Sequence, residues 1–161
     1  MITVKLSPRE MLFAAYAGVH RQVVRTSKGC NHTGGWKAGK RKDGWTQHVT
    51  GSIGELVVAK LLNKFWSGPT DLGAPDVGRP EEGIEVRTVS DARGSLVIRP
   101  TDKDTSKFYL VVPTDDPLTF GVAGWFLAGD AKARPELLAN PLEGSPAFFV
   151  PQSMLHPAVA A

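Results

Sequence analysis

Three charged residues in one short stretch have the types and spacing to do chemistry together. In "APDVGRPEEGIEVRTV", Ala74 to Val89, Asp76 precedes a connection rich in glycine and proline, and Glu85 and Arg87 follow on a β-branched run. Side chains alternate across a strand, so Glu85 and Arg87 share one face while Ile84 and Val86 share the other. A bend through Gly78, Pro80 and Gly83 can return the chain beside Asp76. Two convergent carboxylates make a hard oxygen site suited to Mg²⁺ or Mn²⁺. A cation held there lowers the pKa of bound water and screens charge growing on a phosphate. A further acid, Glu55, stands among the apolar Ile53, Leu56 and Val57, where a lone carboxylate needs a partner. Plainer roles stand beside these: Asp76 can hold a turn, Glu85 and Arg87 can be an exposed pair of little worth, and Glu55 can favour a helix dipole.

The elements that must position these residues follow from periodicity. "SPRE" at Ser7–Glu10 is a helix start, with Ser7 as cap, Pro8 in the first turn and Glu10 completing a capping box. Leu12, Tyr16, Val19 and Val23 recur at helical spacing, and the helix ends near Thr26. "TGSIGELVVAKLLNKFW", Thr50–Trp66, predicts a second helix with Ile53, Leu56, Val57, Leu61 and Phe65 as its apolar stripe and Thr50 or Ser52 as its cap. The period then changes to two. "GIEVRTV", "SLVIRP", "FYLVVP", "TFGVAGWFLAG" and "PAFFVPQSML" read as strands, and "DAKARPELLAN" as a short helix or turn. Helices followed by strands predict a mixed α/β or α+β fold, and 161 residues suit a single domain over 1–161.

Between the two helices lies "SKGCNHTGGWKAGKRKDGW", residues 27–45, a glycine-rich basic loop. Lys37, Lys40, Arg41 and Lys42 can contact phosphates, and Trp36 and Trp45 can stack on bases, which makes them the candidate nucleic-acid-binding residues. A solvated loop accounts for the composition equally well. Arg21, Arg25 and Lys28 lead into the loop and extend its basic surface. The net charge of +3 permits an anionic partner without requiring one. Cys30 is the only cysteine, so no disulfide forms within one chain, which fits a reducing cytoplasm. Cys30 and His32, with His20 or His48, lack the paired spacing of a zinc site. His48 could reach the Glu55 site or pack locally, and Asp130 and Lys132 read as a turn pair. No apolar run is long enough to span a membrane, and the first residues do not read as a signal peptide.

Pro75-Asp76, a spacer, then Glu85-Val86-Arg87, preceded by Glu55 in "GELVVAK", resembles the motif of the PD-(D/E)XK nuclease superfamily. The flanks "WTQHVTGSIGELVVAK", "GWFLAGDAK" and "AFFVPQS" are similar to a phage and bacterial group of small proteins. The resemblance implies a restriction-endonuclease-like core, with a mixed central sheet flanked by helices. It implies a Mg²⁺- or Mn²⁺-dependent hydrolase, a DNA endonuclease, with Glu55, Asp76 and Glu85 as metal ligands and Arg87 completing the catalytic set. It also implies DNA as partner, with a homodimer as an option, in the cytoplasm of a bacterial host. One departure matters: Arg87 stands where the superfamily has lysine. Arginine can grip phosphate with two hydrogen bonds but cannot act as a general base. The alternative is therefore a catalytically inactive module of the same fold that binds DNA or a host protein.

Overall fold

The computed structural model describes residues 1–28, 44–68, 76–140 and 146–160. The fold is mixed α+β, the class expected from the periodicities. Its centre is a four-stranded sheet in the order β1-β5-β4-β2, formed by Ile2–Lys5 (β1), Thr119–Leu127 (β5), Lys107–Pro113 (β4) and Ile84–Thr88 (β2). β1 and β4 run antiparallel to β5, and β2 runs parallel to β4 at the sheet edge. A second sheet of three antiparallel strands, in the order β3-β7-β6, is made from Leu96–Ile98 (β3), Ala147–Val150 (β7) and Leu138–Ala139 (β6).

Alternation along the strands builds two cores, one on each face of the central sheet. Ile84, Val86, Tyr109 and Val111 pack with Val57, Val58 and Ala59 of a helix, α2 (Gly44–Leu61), and with Ala14 and Ala17 of another, α1 (Pro8–Ser27). Phe108, Leu110 and Val112 pack instead with Leu96, Ile98, Phe148 and Val150 of the second sheet. In β5, Val122 belongs to the helical core and Phe126 to the other, although both occupy even positions. The register supplies the reason. Leu110 faces Gly124 and Val111 faces Val122, so Ala123 is an extra, bulged residue that flips the strand's later side chains. Gly124, at φ +153°, sits where a Cβ would lie 2.4 Å from the His156 carbonyl oxygen, which leaves room only for glycine. A short helix, α3 (Ala128–Lys132), follows directly and buries Ala128 and Ala131.

The two long helices depart from the sequence reading in instructive ways. α1 has the expected capping box: the Ser7 N–H donates to Glu10 Oε2 at 2.6 Å, and the Glu10 N–H donates to Ser7 Oγ at 3.3 Å. Leu12, Phe13, Tyr16, Val19 and Val23, however, face outward, and the helix buries Ala14, Ala17 and Gly18. α2 begins at Gly44 rather than Thr50. Trp45 therefore lies in its first turn and not in a loop. Thr50 and Ser52 cap nothing; their hydroxyls donate back to the Thr46 and His48 carbonyls at 2.7 and 2.8 Å. Phe65, placed in the apolar stripe by its spacing, follows the end of α2 and is exposed. β1 was not anticipated, because four residues of "ITVK" carry too little periodicity.

Small residues let α1 and α2 touch backbone to backbone. A Cβ on Gly18 would stand 2.5 Å from both the His48 carbonyl oxygen and the Val49 Cα. Gly18→Ala is therefore expected to push the helices apart and destabilise the fold by about 1–3 kcal/mol, despite alanine's better helix propensity. The urea midpoint reads this directly, and a variant as stable as the wild type would contradict the contact.

Candidate functional site

The site grows from the edge strand β2. Ile84 and Val86 are buried in the helical core, which turns Glu85 and Arg87 to the opposite face. The chain before β2 doubles back as the bend requires. Val77 forms an antiparallel bridge with Ile84, with its N–H 3.4 Å from the Ile84 carbonyl. Between them Pro80–Glu82 makes a single 3-10 turn, and Gly78 and Gly83 take positive φ of 75° and 57°. Glu82 fastens this connection, accepting from the Arg79 N–H at 2.9 Å and pairing with Lys64. The free edge of β2 then meets Asp76, whose Oδ2 accepts the Val86 N–H at 2.7 Å.

Asp76 is thereby pressed against Glu85. Burial and the Glu85 charge push the Asp76 carboxyl up to about 6, against the pull of the Val86 N–H, Arg87 and Arg21. Burial also raises Glu85, while Arg87 and a hydrogen bond with Asp76 draw it down and Asp102 and Glu55 raise it further. Two acids that repel one another in a partly desolvated place share protons or attract a cation.

Glu55 sits on α2, brought close to β2 by Gly54, whose Cβ position is 1.9 Å from Thr88 Oγ1 and 3.5 Å from a Val86 methyl. Glu55 is 4% exposed and fully engaged. Arg21 donates to Oε1 at 2.5 Å and to Oε2 at 2.6 Å, and Trp66 Nε1 donates to Oε2 at 3.0 Å. Arg21 also donates to the Gly68 carbonyl at 3.0 Å. Burial pushes the Glu55 carboxyl up, with Arg21 pulling the other way and Asp76 adding to the rise. Burial works against the Arg21 charge, but the Glu55 carboxylate more than restores it. Arg21 thus points inward to an ion pair, not outward as an extension of a basic surface. His48, near Arg25 and Arg21, is held below its ordinary value by burial and by those two charges.

Arg87 is anchored in turn. Its Nη2 reaches both Asp102 carboxylate oxygens, at 3.2 and 3.1 Å, and its guanidinium lies 4.5 Å from the Phe108 ring centroid. Asp102 also accepts the Arg99 N–H at 2.8 Å. Lys132 pairs with Asp104 at 2.7 Å and with the Asp102 carbonyl, rather than with Asp130.

Of the expected site residues, the structure brings Asp76 and Glu85 together and sets Glu55 close enough that Asp76 raises it and it raises Glu85. Among the described residues, no three acid, histidine or cysteine side chains converge as one group of metal ligands. Arg21, Trp66 and Asp102 are the partners that sequence reasoning missed. Only the need of a buried Glu55 for company signalled the first two. Trp45 is half-exposed at the start of α2; Trp36, Lys37, Lys40, Arg41 and Lys42 lie outside the described residues. No described helix is long and apolar enough to cross a membrane.

The fold and site together define an α+β protein with a carboxylate pair at a sheet edge, flanked by two arginines that are each paired with an acid. No protein-family model matches the chain, and no curated protein or solved structure matches it either.

Proposed function

We propose that this chain is a divalent-cation-dependent phosphodiesterase of the endonuclease class, acting on DNA in the cytoplasm of a bacterial host. The observation that carries the reading is the Asp76–Glu85 pair. Two carboxylates held against their mutual repulsion, at a cost in stability, are what a hard cation relieves. Mg²⁺ is commonly bound through one or two carboxylates, with waters and substrate phosphate completing its shell, so this donor set fits it. Bound there, the cation would supply Lewis acidity toward a phosphate oxygen and its water. Asp76 and Glu85 would hold it. Arg87, oriented by Asp102 and Phe108, offers positive charge to a phosphate on the same strand face. Glu55, whose oxygens are already taken, adds negative charge from behind. The basic residues 37–42, with Trp36 and Trp45, would hold the nucleic-acid backbone and bases.

One observation favours the second reading, an inactive module of the same architecture that binds DNA or a host protein. Glu55 and Arg87, two of the four expected catalytic groups, are each closed by an ion pair.

Cation binding separates the readings without an activity assay. A cation binds the ionised pair, and Asp76 ionises only above about 6. Mg²⁺ or Mn²⁺ at a hundred times its dissociation constant should therefore stabilise the protein by about 2.7 kcal/mol at about pH 8 and by much less at about pH 5. Asp76→Asn and Glu85→Gln should lose the effect. Thermal unfolding across a cation series reads it. A wild type that melts at the same temperature with and without cation at about pH 8 sinks the metal-dependent reading and leaves the binding module.

A further inference from the structure

α1 wears a row of large apolar side chains on the outside. Leu12 is 71% exposed, Tyr16 65% and Val23 50%, with Val19 and Phe13 also exposed, while the buried face is Ala14, Ala17 and Gly18. The close approach to α2 explains the small inner face but not the large outer one. Surface leucines and valines scattered singly need no explanation, but these form a row. Leu12, Tyr16, Val19 and Val23 are spaced by four, three and four residues, the seam of a two-stranded coiled coil.

We propose that this seam joins two copies of the chain in a two-fold homodimer, with the α1 helices packed antiparallel. The spacing is symmetric about the middle of the helix. An antiparallel pairing sets Leu12 of one copy against Val23 of the other, and Tyr16 against Val19, so one surface serves both partners. The flanking positions, Phe13, Ala15, His20 and Gln22, contain no lysine, arginine or carboxylate, so no fixed like charges oppose across the two-fold. At the ends, exposed Arg9 comes against Thr26 and Ser27 of the other copy, in a last turn that also carries Arg25. The two helix dipoles also run in opposite directions. With Phe13, which also packs edge-on against Trp66, the seam exposes on the order of 500 Å² per copy, so pairing buries at most roughly 1,000 Å², the size of a weak, concentration-dependent interface. Arg21 lies on the inner face, in its pair with Glu55, and takes no part in the seam.

The test is sedimentation velocity on the full chain between about 1 and 100 µM. Wild type should run as a dimer in the upper part of that range. Leu12→Glu and Val23→Lys, both at outward positions, should keep the circular dichroism and melting of a folded chain, and each alone should weaken dimerisation at least about tenfold. An equimolar mixture of the two should dimerise again, because the antiparallel pairing sets the new acid of one copy against the new base of the other. A wild type that stays monomeric throughout overturns the proposal. Variants that dimerise as tightly as wild type place the interface elsewhere and also overturn it. Folded single variants whose mixture stays monomeric overturn the antiparallel pairing.

Discussion

Asp76→Asn and Glu85→Gln should each lower Mg²⁺-dependent cleavage of DNA by more than about a hundredfold, since even groups that only support a metal's ligands are worth 10–100-fold. An amide keeps the shape of the side chain and loses the charge that holds a cation. The loss would not reflect unfolding. Burial and the Glu85 charge push the Asp76 carboxyl up to about 6. A carboxyl raised in this way makes the fold less stable as pH rises from about 4 to about 6, since the folded state holds the proton longer than the unfolded chain does. Removing that charge should therefore stabilise the protein at neutral pH by about 1–3 kcal/mol, provided the asparagine oxygen still accepts the Val86 N–H. More stable and less active is the signature to look for, in plasmid nicking beside urea denaturation. Arg87→Ala should cost less activity than either acid, since the arginine is shared with Asp102. Equal cleavage by wild type and both acid variants would mean that the pair is not the cutting site.

The acid pair was legible because every step in its construction is local. Alternation put Glu85 and Arg87 on one face, and Gly78, Pro80 and Gly83 provided the turn that returns Val77 to Ile84. What surrounds the pair depends on contacts between distant segments. Arg21 and Glu55 are separated by 34 positions, and nothing in "HRQVVR" tells which arginine turns inward. Arg87 reads as a free phosphate grip until the fold brings Asp102 under it. Periodicity reveals that α1 has two faces but not which one the chain itself uses. Hydrophobic size pointed to Leu12 and Tyr16, and backbone approach at Gly18 overruled it. The start of α2 was missed for a similar reason. "GWTQHV" has poor helix formers, and the close contact with α1 carries it. The bulge at Ala123, which sends Phe126 to the second core, shows in sequence only as a glycine inside a strand.

Arg21→Ala should destabilise the fold by about 3–5 kcal/mol at neutral pH, because it leaves the Glu55 charge buried beside Asp76 with only the Trp66 N–H to serve it. The pH dependence gives the effect its signature. Burial already raises Glu55, and Arg21 is the main force pulling it back. Without Arg21 its folded-state value rises further above that of the unfolded chain. Such a group lends stability at low pH, where it is protonated in both states, and loses it as pH climbs toward its folded value. The variant should therefore lie closest to wild type in mild acid and fall away from it toward neutrality. Arg21→Ala combined with Glu55→Gln should recover a large part of the loss, since the neutral amide can stay buried against Trp66 without a counter-charge. A double-mutant cycle by urea denaturation at two pH values measures this, with an expected coupling above about 2 kcal/mol. Additive losses, equal at both pH values, would mean that the Arg21–Glu55 pair is exchanged with water and does not hold α1, α2 and the Trp66 turn together. A strong coupling would instead make Arg21 the clamp that keeps Glu55 behind the acid pair, where its charge reaches Asp76 and Glu85 but its oxygens do not compete with them for a cation.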